Sequence, residues 1–297
     1  MRYGFAKAYA KLNLTLDVLG LLDDGYHDLE MVMQSVSLHD SVAVRIGCGG
    51  DISCISNISY IPNDERNIAV KAARAFLDAT GINCGGIAIA VEKRIPSSAG
   101  MAGGSADGAA VLRLLNELCD FPLSDEELCA VGLTVGADVP FCLMGGTALA
   151  CAKGEAMTEL RSLLGCFFVI AKPARGMSTK AVFAEIDNHP IEKHPDTETM
   201  LSAIEKGGIS SVAANVYNVF EPVVSADVRD VARIKNVLLD GGALCAAMTG
   251  SGSAVFGIFT NREEAEGVKW KLGRRYADVF VAEPVSSEKV RGCVLIP

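Results

Sequence analysis

Between Ile95 and Asp107 the chain reads Ile-Pro-Ser-Ser-Ala-Gly-Met-Ala-Gly-Gly-Ser-Ala-Asp. Before it, Gly86 to Glu92 has strand character, and after it Ala110, Leu114, Leu115 and Leu118 recur at helical spacing. The unit is strand, glycine loop, helix. Backbone N–H groups in such a loop can converge on an anion while the helix dipole favours its negative charge, so phosphate is the natural guest. A turn that merely needs positive φ uses the same residues; the position between strand and helix favours the anion. No Gly-Lys-Ser/Thr closes the loop and it is not Gly-x-Gly-x-x-Gly, which disfavours the usual nucleotide folds. A second loop, Thr249-Gly250-Ser251-Gly252-Ser253, permits close backbone approach to a ligand, although by itself it reads equally as a tight turn.

Elsewhere the pattern is mixed. Phe5 to Leu19 reads as a strand in which Ala8, Ala10, Leu12, Leu14, Leu16 and Val18 alternate with Lys11, Asn13, Thr15 and Asp17, so Lys11 and Asn13 share its polar face. A turn at Asp23-Asp24-Gly25 leaves Tyr26 and His27 on or beside a loop. Met31 to Leu38 and Ser41 to Ile46 read as further strands, an antiparallel beginning. Asn67 to Thr80 has helical spacing closed by Gly81, and Ser124 with Glu127 forms a capping-box signature for a helix to about Val135, stopped by Gly136 to Pro140. Gly145 to Ala152 and Phe167 to Ala171 are strand-like, with a lobe boundary near Gly154 to Leu160. The second half carries helical patterns at 197–206, 210–219 and 227–239, and strand signals at Ala243 to Met248, Ala254 to Phe259 and Val279 to Ala282.

A chain of 297 residues, half of them apolar, can bury the cores of two lobes. The net charge of -9 and the lack of a basic run argue against nucleic acid as partner. No run approaches the roughly 18 apolar residues of a membrane span, and Met1 to Lys11 does not resemble a signal peptide, so no membrane is expected and the cytoplasm is the expected location. The ten Cys form no C-x-x-C pair and read as reduced, mostly buried small hydrophobes. The four His show no metal spacing, and His189 and His194 lie in a Pro-containing loop that reads as a solvated connection.

Taken together, the Lys-bearing N-terminal strand, the loop near residue 100 and the Gly-Ser-Gly loop near residue 250 resemble the GHMP kinases, the superfamily of galactokinase, homoserine kinase and mevalonate kinase. The first loop is similar to their Pro-x-x-x-Gly-Leu-Gly-Gly-Gly-Ser-Ser pattern, departing at Met101, where Leu is common, and at Ala102, where Gly is common; Ala102 can follow the turn only with an ordinary φ. The resemblance implies a two-lobed α+β kinase that transfers the γ-phosphate of ATP to an alcohol. Its N-terminal lobe, 1–155, would be ribosomal-protein-S5-domain-2-like and bind ATP; its C-terminal lobe, 156–297, would be ferredoxin-like and contribute to the substrate site. ATP would lie on Pro96, Ser97, Ser98, Ala99, Gly100, Met101, Ala102, Gly103, Gly104, Ser105 and Ala106. Three stretches, Ala10-Lys11-Leu12-Asn13-Leu14, Asp24-Gly25-Tyr26-His27-Asp28-Leu29 and Met33-Gln34-Ser35-Val36-Ser37-Leu38, narrow the resemblance, as does Gly136 to Phe141. They are similar to the branch that phosphorylates the tertiary 2-hydroxyl of a cytidine diphosphate ester of methylerythritol in non-mevalonate isoprenoid synthesis.

By that resemblance Asp138 accepts the hydroxyl proton, an action that contributes typically ~10²–10⁴-fold. Lys11 holds Asp138 ionised and spreads charge from the phosphoryl group. Tyr26 and Phe183 stack on the two faces of cytosine, worth roughly 1–3 kcal/mol per base; His27, Asn13 and Thr179 add polar contacts. Mg²⁺ is expected on the phosphates, with Ser105 as its candidate ligand. From the residues alone, Asp138 also reads as a cap, Lys11 as an exposed strand residue, Tyr26 as a lid, Phe183 as core and Ser105 as an N-cap. A GHMP kinase for another small alcohol, or a catalytically silent metabolite sensor on the same fold, stays open, as does the oligomeric state.

Overall fold

The computed structural model describes residues 2–296. Two long strands, β1 (Arg2–Leu21) and β2 (His27–Ile46), lead into β3 (Ile52–Ser56), α1 (Ile68–Thr80), β4 (Ile87–Glu92), α2 (Gly103–Leu118), α3 (Asp125–Val135), α4 (Val139–Met144), β5 (Thr147–Ala152) and β6 (Ala156–Leu160). The second half runs β7 (Phe167–Lys172), α5 (Thr179–Asn188), α6 (Thr197–Lys206), α7 (Ile209–Ala214), β8 (Tyr217–Asn218), α8 (Glu221–Asp227), α9 (Arg229–Asp240), β9 (Cys245–Met248), β10 (Val255–Phe259), α10 (Arg262–Gly273), β11 (Asp278–Ala282), α11 (Ser287–Arg291) and β12 (Cys293–Ile296). The larger sheet has the order β12-β1-β2-β4-β3, with β5 on β2, β6 on β5 and β8 on β1. The smaller, β11-β7-β10-β9, is antiparallel throughout and has the ferredoxin-like order. The architecture is the expected α+β pair of lobes.

Local chemistry explains the elements that were legible. Asn67 accepts from the Ala69 amide at 2.9 Å to start α1, and Gly81 closes it in the left-handed region. Ser124 and Glu127 complete the capping box of α3. Pro140 does not only stop a helix. It sits in the first turn of α4, where its missing N–H costs nothing, and so starts a helix absent from the sequence reading. Helix α2 is buried nearly all round, through Ala109, Ala110, Val111, Leu112, Leu114 and Leu115, which makes it the central rod of the N-terminal lobe.

Other expectations are corrected. The strands expected at 31–38 and 41–46 are one strand, β2, because His39 and Asp40 keep pairing with β1 across the irregularity that follows Ser35. The stretch 156–160, read only as a boundary region, is a strand paired with β5, and β12 pairs with β1. The helix expected at 210–219 ends at Ala214, and Tyr217–Asn218 instead pairs with β1. All ten cysteines are free, but only Cys54, Cys142 and Cys166 are buried. His194 is not simply solvated, since its Nδ1 lies 2.8 Å from a carboxylate oxygen of buried Asp17. Among the described residues no helix is long and apolar enough to cross a membrane.

Where the chain leaves β11 and rejoins the larger sheet, Gln34 ties the crossing together. Its Nε2 donates to the carbonyls of Ser35, Gly146 and Val285, and its Oε1 accepts from the Thr147 hydroxyl at 2.7 Å. Gln34→Leu takes this partner from the Val285 carbonyl and the Thr147 hydroxyl, while Gly146 O and Ser35 O keep the amides of Ser35 and Val285, and should cost about 2 kcal/mol. Urea unfolding with an unchanged m-value and a lower midpoint checks it.

Candidate active site

The site is organised by irregularities in β1. Its pairing with β2 shifts register between Tyr9 and Lys11 and again between Asn13 and Thr15. Such bulges interrupt the ladder and re-aim the residues they bracket. The Lys11 amide donates to the Met101 carbonyl at 3.2 Å, and the Asn13 amide donates to Thr249 Oγ1 at 2.9 Å. One short piece of β1 therefore holds both glycine loops. The loops also touch each other. Ala254 N donates to Ala99 O at 3.3 Å, and a Cβ added at Gly100 would lie 2.1 Å from Thr249 O. A Cβ at Gly250 would meet Gly100 O at 2.7 Å, so no side chain fits at either position. Asn218 Nδ2 completes the support by donating to the carbonyls of Met248 and Gly250.

Helix α2 starts at Gly103 with Ala102 as N-cap and no side-chain cap, so its first-turn N–H groups are left for an anion. Ala102 does not have the ordinary φ expected of it. It is left-handed at φ 56°, ψ 30°, a conformation that costs an alanine but not a glycine. Ser105 is the third residue of α2 and not its N-cap.

A cavity of about 710 Å³ opens over this helix end. Lys11, Asp138, Thr179, Phe183 and the loop residues Pro96, Ser97, Ser98, Ala99, Gly100, Met101, Ala102, Gly103, Gly104 and Ser105 all line it. Ala106 lies buried behind it. Asp138 occupies the N-cap position of α4 but makes no capping hydrogen bond, so its carboxylate is not spent on the helix. The polar face of β1 is not exposed. Lys11, Asn13, Thr15 and Asp17 are all at most 4% accessible, because the second lobe covers them. Asn13 therefore does not reach the cavity; its Oδ1 accepts from Lys11 Nζ at 2.5 Å and aims that ammonium.

Charge in the cavity is unevenly spoken for. Lys93 is paired with Asp40 and Asp107, Lys153 with Asp24, and Arg66 with Asp64. Lys11 Nζ has no carboxylate within 4.0 Å among the described residues, and Asp138 is not its ion-pair partner in this arrangement. Both charges nevertheless act on the same buried thiol, Cys142, whose pKa is raised by burial, then by Asp138, against the pull of Lys11. Burial likewise pushes the Asp107 carboxyl up, against the attraction of Lys93, and its Oδ1 has no partner.

The other end of the cavity differs from expectation. Tyr26 is 63% exposed and lies under Lys153 Nζ, 4.6 Å from the ring centre, without lining the cavity. The ring stacked on Phe183 is His27, at 4.5 Å between centroids, with its Nε2 2.7 Å from Asp187 Oδ1. Phe183 also meets Phe220 edge-on at 4.9 Å. Thr179 Oγ1 and Ser251 Oγ are 2.9 Å apart, which joins α5 to the second glycine loop.

Among the described residues no cluster of three or more His, Cys, Asp or Glu could hold a metal. The hard oxygen donors on the cavity wall include the Ser105 hydroxyl and the Asp138 carboxylate. That set suits a Mg²⁺ bound mainly by phosphates and water, with one or two protein oxygens. Sequence reasoning missed Lys93, Lys153, Arg66 and Phe220, which carry no local signature; Ser251 lay in plain view inside its Gly-Ser-Gly loop.

Comparison with known proteins identifies the family and the fold. The family described as GHMP kinases N terminal domain matches residues 67–146, and GHMP kinases C terminal matches 200–278. A 4-diphosphocytidyl-2-C-methyl-D-erythritol kinase of Clostridium acetobutylicum is 43% identical over 94% of this chain and 99% of its own. One from Caldicellulosiruptor saccharolyticus is 45% identical over 87% and 89% respectively. The crystal structure of a 4-(cytidine 5'-diphospho)-2C-methyl-D-erythritol kinase superposes with a TM-score of 0.78 at 29% identity, covering 94% of this chain and 98% of that one. A homoserine kinase of Cytophaga hutchinsonii shares the fold, with a TM-score of 0.77 at 18% identity over 99% and 97%.

Because Ala102 is held left-handed, Ala102→Gly should raise the unfolding free energy by about 1 kcal/mol. Thermal melts of the two proteins side by side check this, and no gain would contradict the strain.

Proposed function

The chain belongs to the 4-diphosphocytidyl-2-C-methyl-D-erythritol kinases within the GHMP kinases, it is a small-molecule kinase, and on that premise we propose its reaction in residue terms. ATP seats its phosphates on the open N-terminus of α2 and the Pro96 to Ser105 loop, and the alcohol is the 2-hydroxyl of 4-diphosphocytidyl-2-C-methyl-D-erythritol. The observation that carries the reading is that Lys11 and Asp138 line one cavity with that helix end.

Asp138, uncommitted to capping, accepts the proton of the attacking hydroxyl. Lys11, aimed by Asn13 and free of a carboxylate partner, offsets charge that spreads over the transferring phosphoryl oxygens. Ser105 would hold a Mg²⁺ bound with the nucleotide, and that ion would supply charge neutralisation for the phosphates. The face of Phe183 that His27 now covers is the platform for cytosine, since it already accepts a flat ring. His27, displaced by the base, then donates and accepts at its edge, and Tyr26 turns inward to cover the second face. Thr179 adds a polar contact. With ten unpaired cysteines the protein suits the reducing cytoplasm. The lobes divide the labour, 1–155 for ATP and 156–297 for part of the alcohol site.

Purified protein given ATP, Mg²⁺ and the cytidyl substrate should release ADP; turnover of mevalonate or homoserine with silence on the cytidyl substrate overturns the reading. Asp138→Asn should lower kcat by about 10²–10⁴-fold while nucleotide binding, followed by calorimetry, is retained. A near-normal kcat there removes the base assignment.

A further inference from the structure

Arg113 sits in the middle of α2 and lines no part of the cavity. Its side chain is buried, with no carboxylate within 4.0 Å among the described residues. Its Nη1 donates to Cys142 O at 2.8 Å and comes within 3.5 Å of Leu143 O; its Nη2 comes within 3.5 Å of Lys7 O. Among the described residues its Nε has no hydrogen-bond partner. Burying a guanidinium without a counterion is costly, and an apolar side chain of similar volume would pack there more cheaply. Stability alone does not account for it.

What the guanidinium touches does. Cys142 and Leu143 lie in the last turn of α4, where carbonyls lack helical partners and carry partial negative charge. Cys142 also donates its amide to the Asp138 carbonyl at 3.1 Å, so two hydrogen bonds lead from Arg113 to the backbone of Asp138. Lys7 is on β1, four residues before Lys11. Arg113 itself rides on the helix whose N-terminus meets the glycine loop. One rigid planar fork thus joins the three elements that bear Asp138, Lys11 and the loop.

We propose that Arg113 is a positioning residue for phosphoryl transfer: it anchors α4 and β1 to α2, so that the Asp138 carboxylate keeps its place relative to Lys11 and the helix end. The proposal rests on the assignment of Asp138 as base. Because the fork holds α4 and β1 and touches no residue of the loop itself, its loss falls on kcat and spares ATP binding.

Steady-state kinetics of Arg113→Met and Arg113→Lys, at a temperature where circular dichroism shows folded protein, test this. In the Met variant kcat should fall about 100-fold, as for a misplacement near 1 Å, with KM for ATP little changed. The Lys variant keeps charge but reaches fewer carbonyls, so its kcat should fall about 10-fold. Phe256→Leu, deep in the smaller sheet, serves as a control that should lower Tm and leave kcat alone. If the Arg113 variants behave like that control, or raise only KM for ATP, the proposal fails. Should the Met variant not fold, the Lys variant decides by the same criteria. An active Asp138→Asn would sink the base assignment instead; an inactive Asp138→Asn beside unaffected Arg113 variants would sink the positioning role alone.

Discussion

Two backbone amides, those of Lys11 and Asn13, hold the site together. A regular strand would spend both on its neighbour. The register shifts on either side of this segment instead turn them toward Met101 O and Thr249 Oγ1, one in each glycine loop. The loops can then close on each other only because Gly100 and Gly250 have no side chains. The open end of α2, the ammonium of Lys11 and the second lobe are all placed by that one junction.

Around it, charge is distributed so that Lys11 and Asp138 at the cavity are not paired with each other. Asp40 receives the Lys93 ammonium and the amides of Arg94 and Ile95, which fixes the chain as it enters the first loop. Asp107 shares the same lysine from α2, and desolvation outweighs that lysine's attraction in setting its proton affinity. This cluster ties β2, β4 and α2 together at the base of the loop. Its cation is consumed locally, whereas Lys11 is held by a neutral amide, with no carboxylate within 4.0 Å among the described residues. On the far side of α2, Arg113 meets carbonyls and no acid, so its charge bears on the end of α4.

The two ends of the cavity differ in rigidity. The end over α2 is made of a helix terminus and interlocked backbone. The far end is made of side chains resting on one another, His27 on Phe183 and Tyr26 beneath Lys153, on elements from both lobes. Stacked rings exchange partners without breaking a backbone ladder, which suits the proposed exchange of a protein ring for a base there.

Much of this was legible in the chain itself, and the legible parts share a cause. The caps of α1 and α3, the strand-loop-helix unit and the Gly-Ser-Gly loop depend on residues within a few positions of one another. Local propensity and hydrogen bonding decide them. Lys11 and Asp138 could be singled out, but not the fact that they line one cavity. Nor could the burial of Asn13, the left-handed Ala102, the pairing of 156–160 with β5 or the contacts of Arg113 be read from sequence. Each depends on partners brought close only by packing: a second lobe laid over β1, a loop pressed against another loop, a strand returned from the chain's far end. Alternation along β1 could mark a polar face, but only tertiary structure decided that this face lies beneath the second lobe, with Lys11 alone of it at the cavity, rather than out in water.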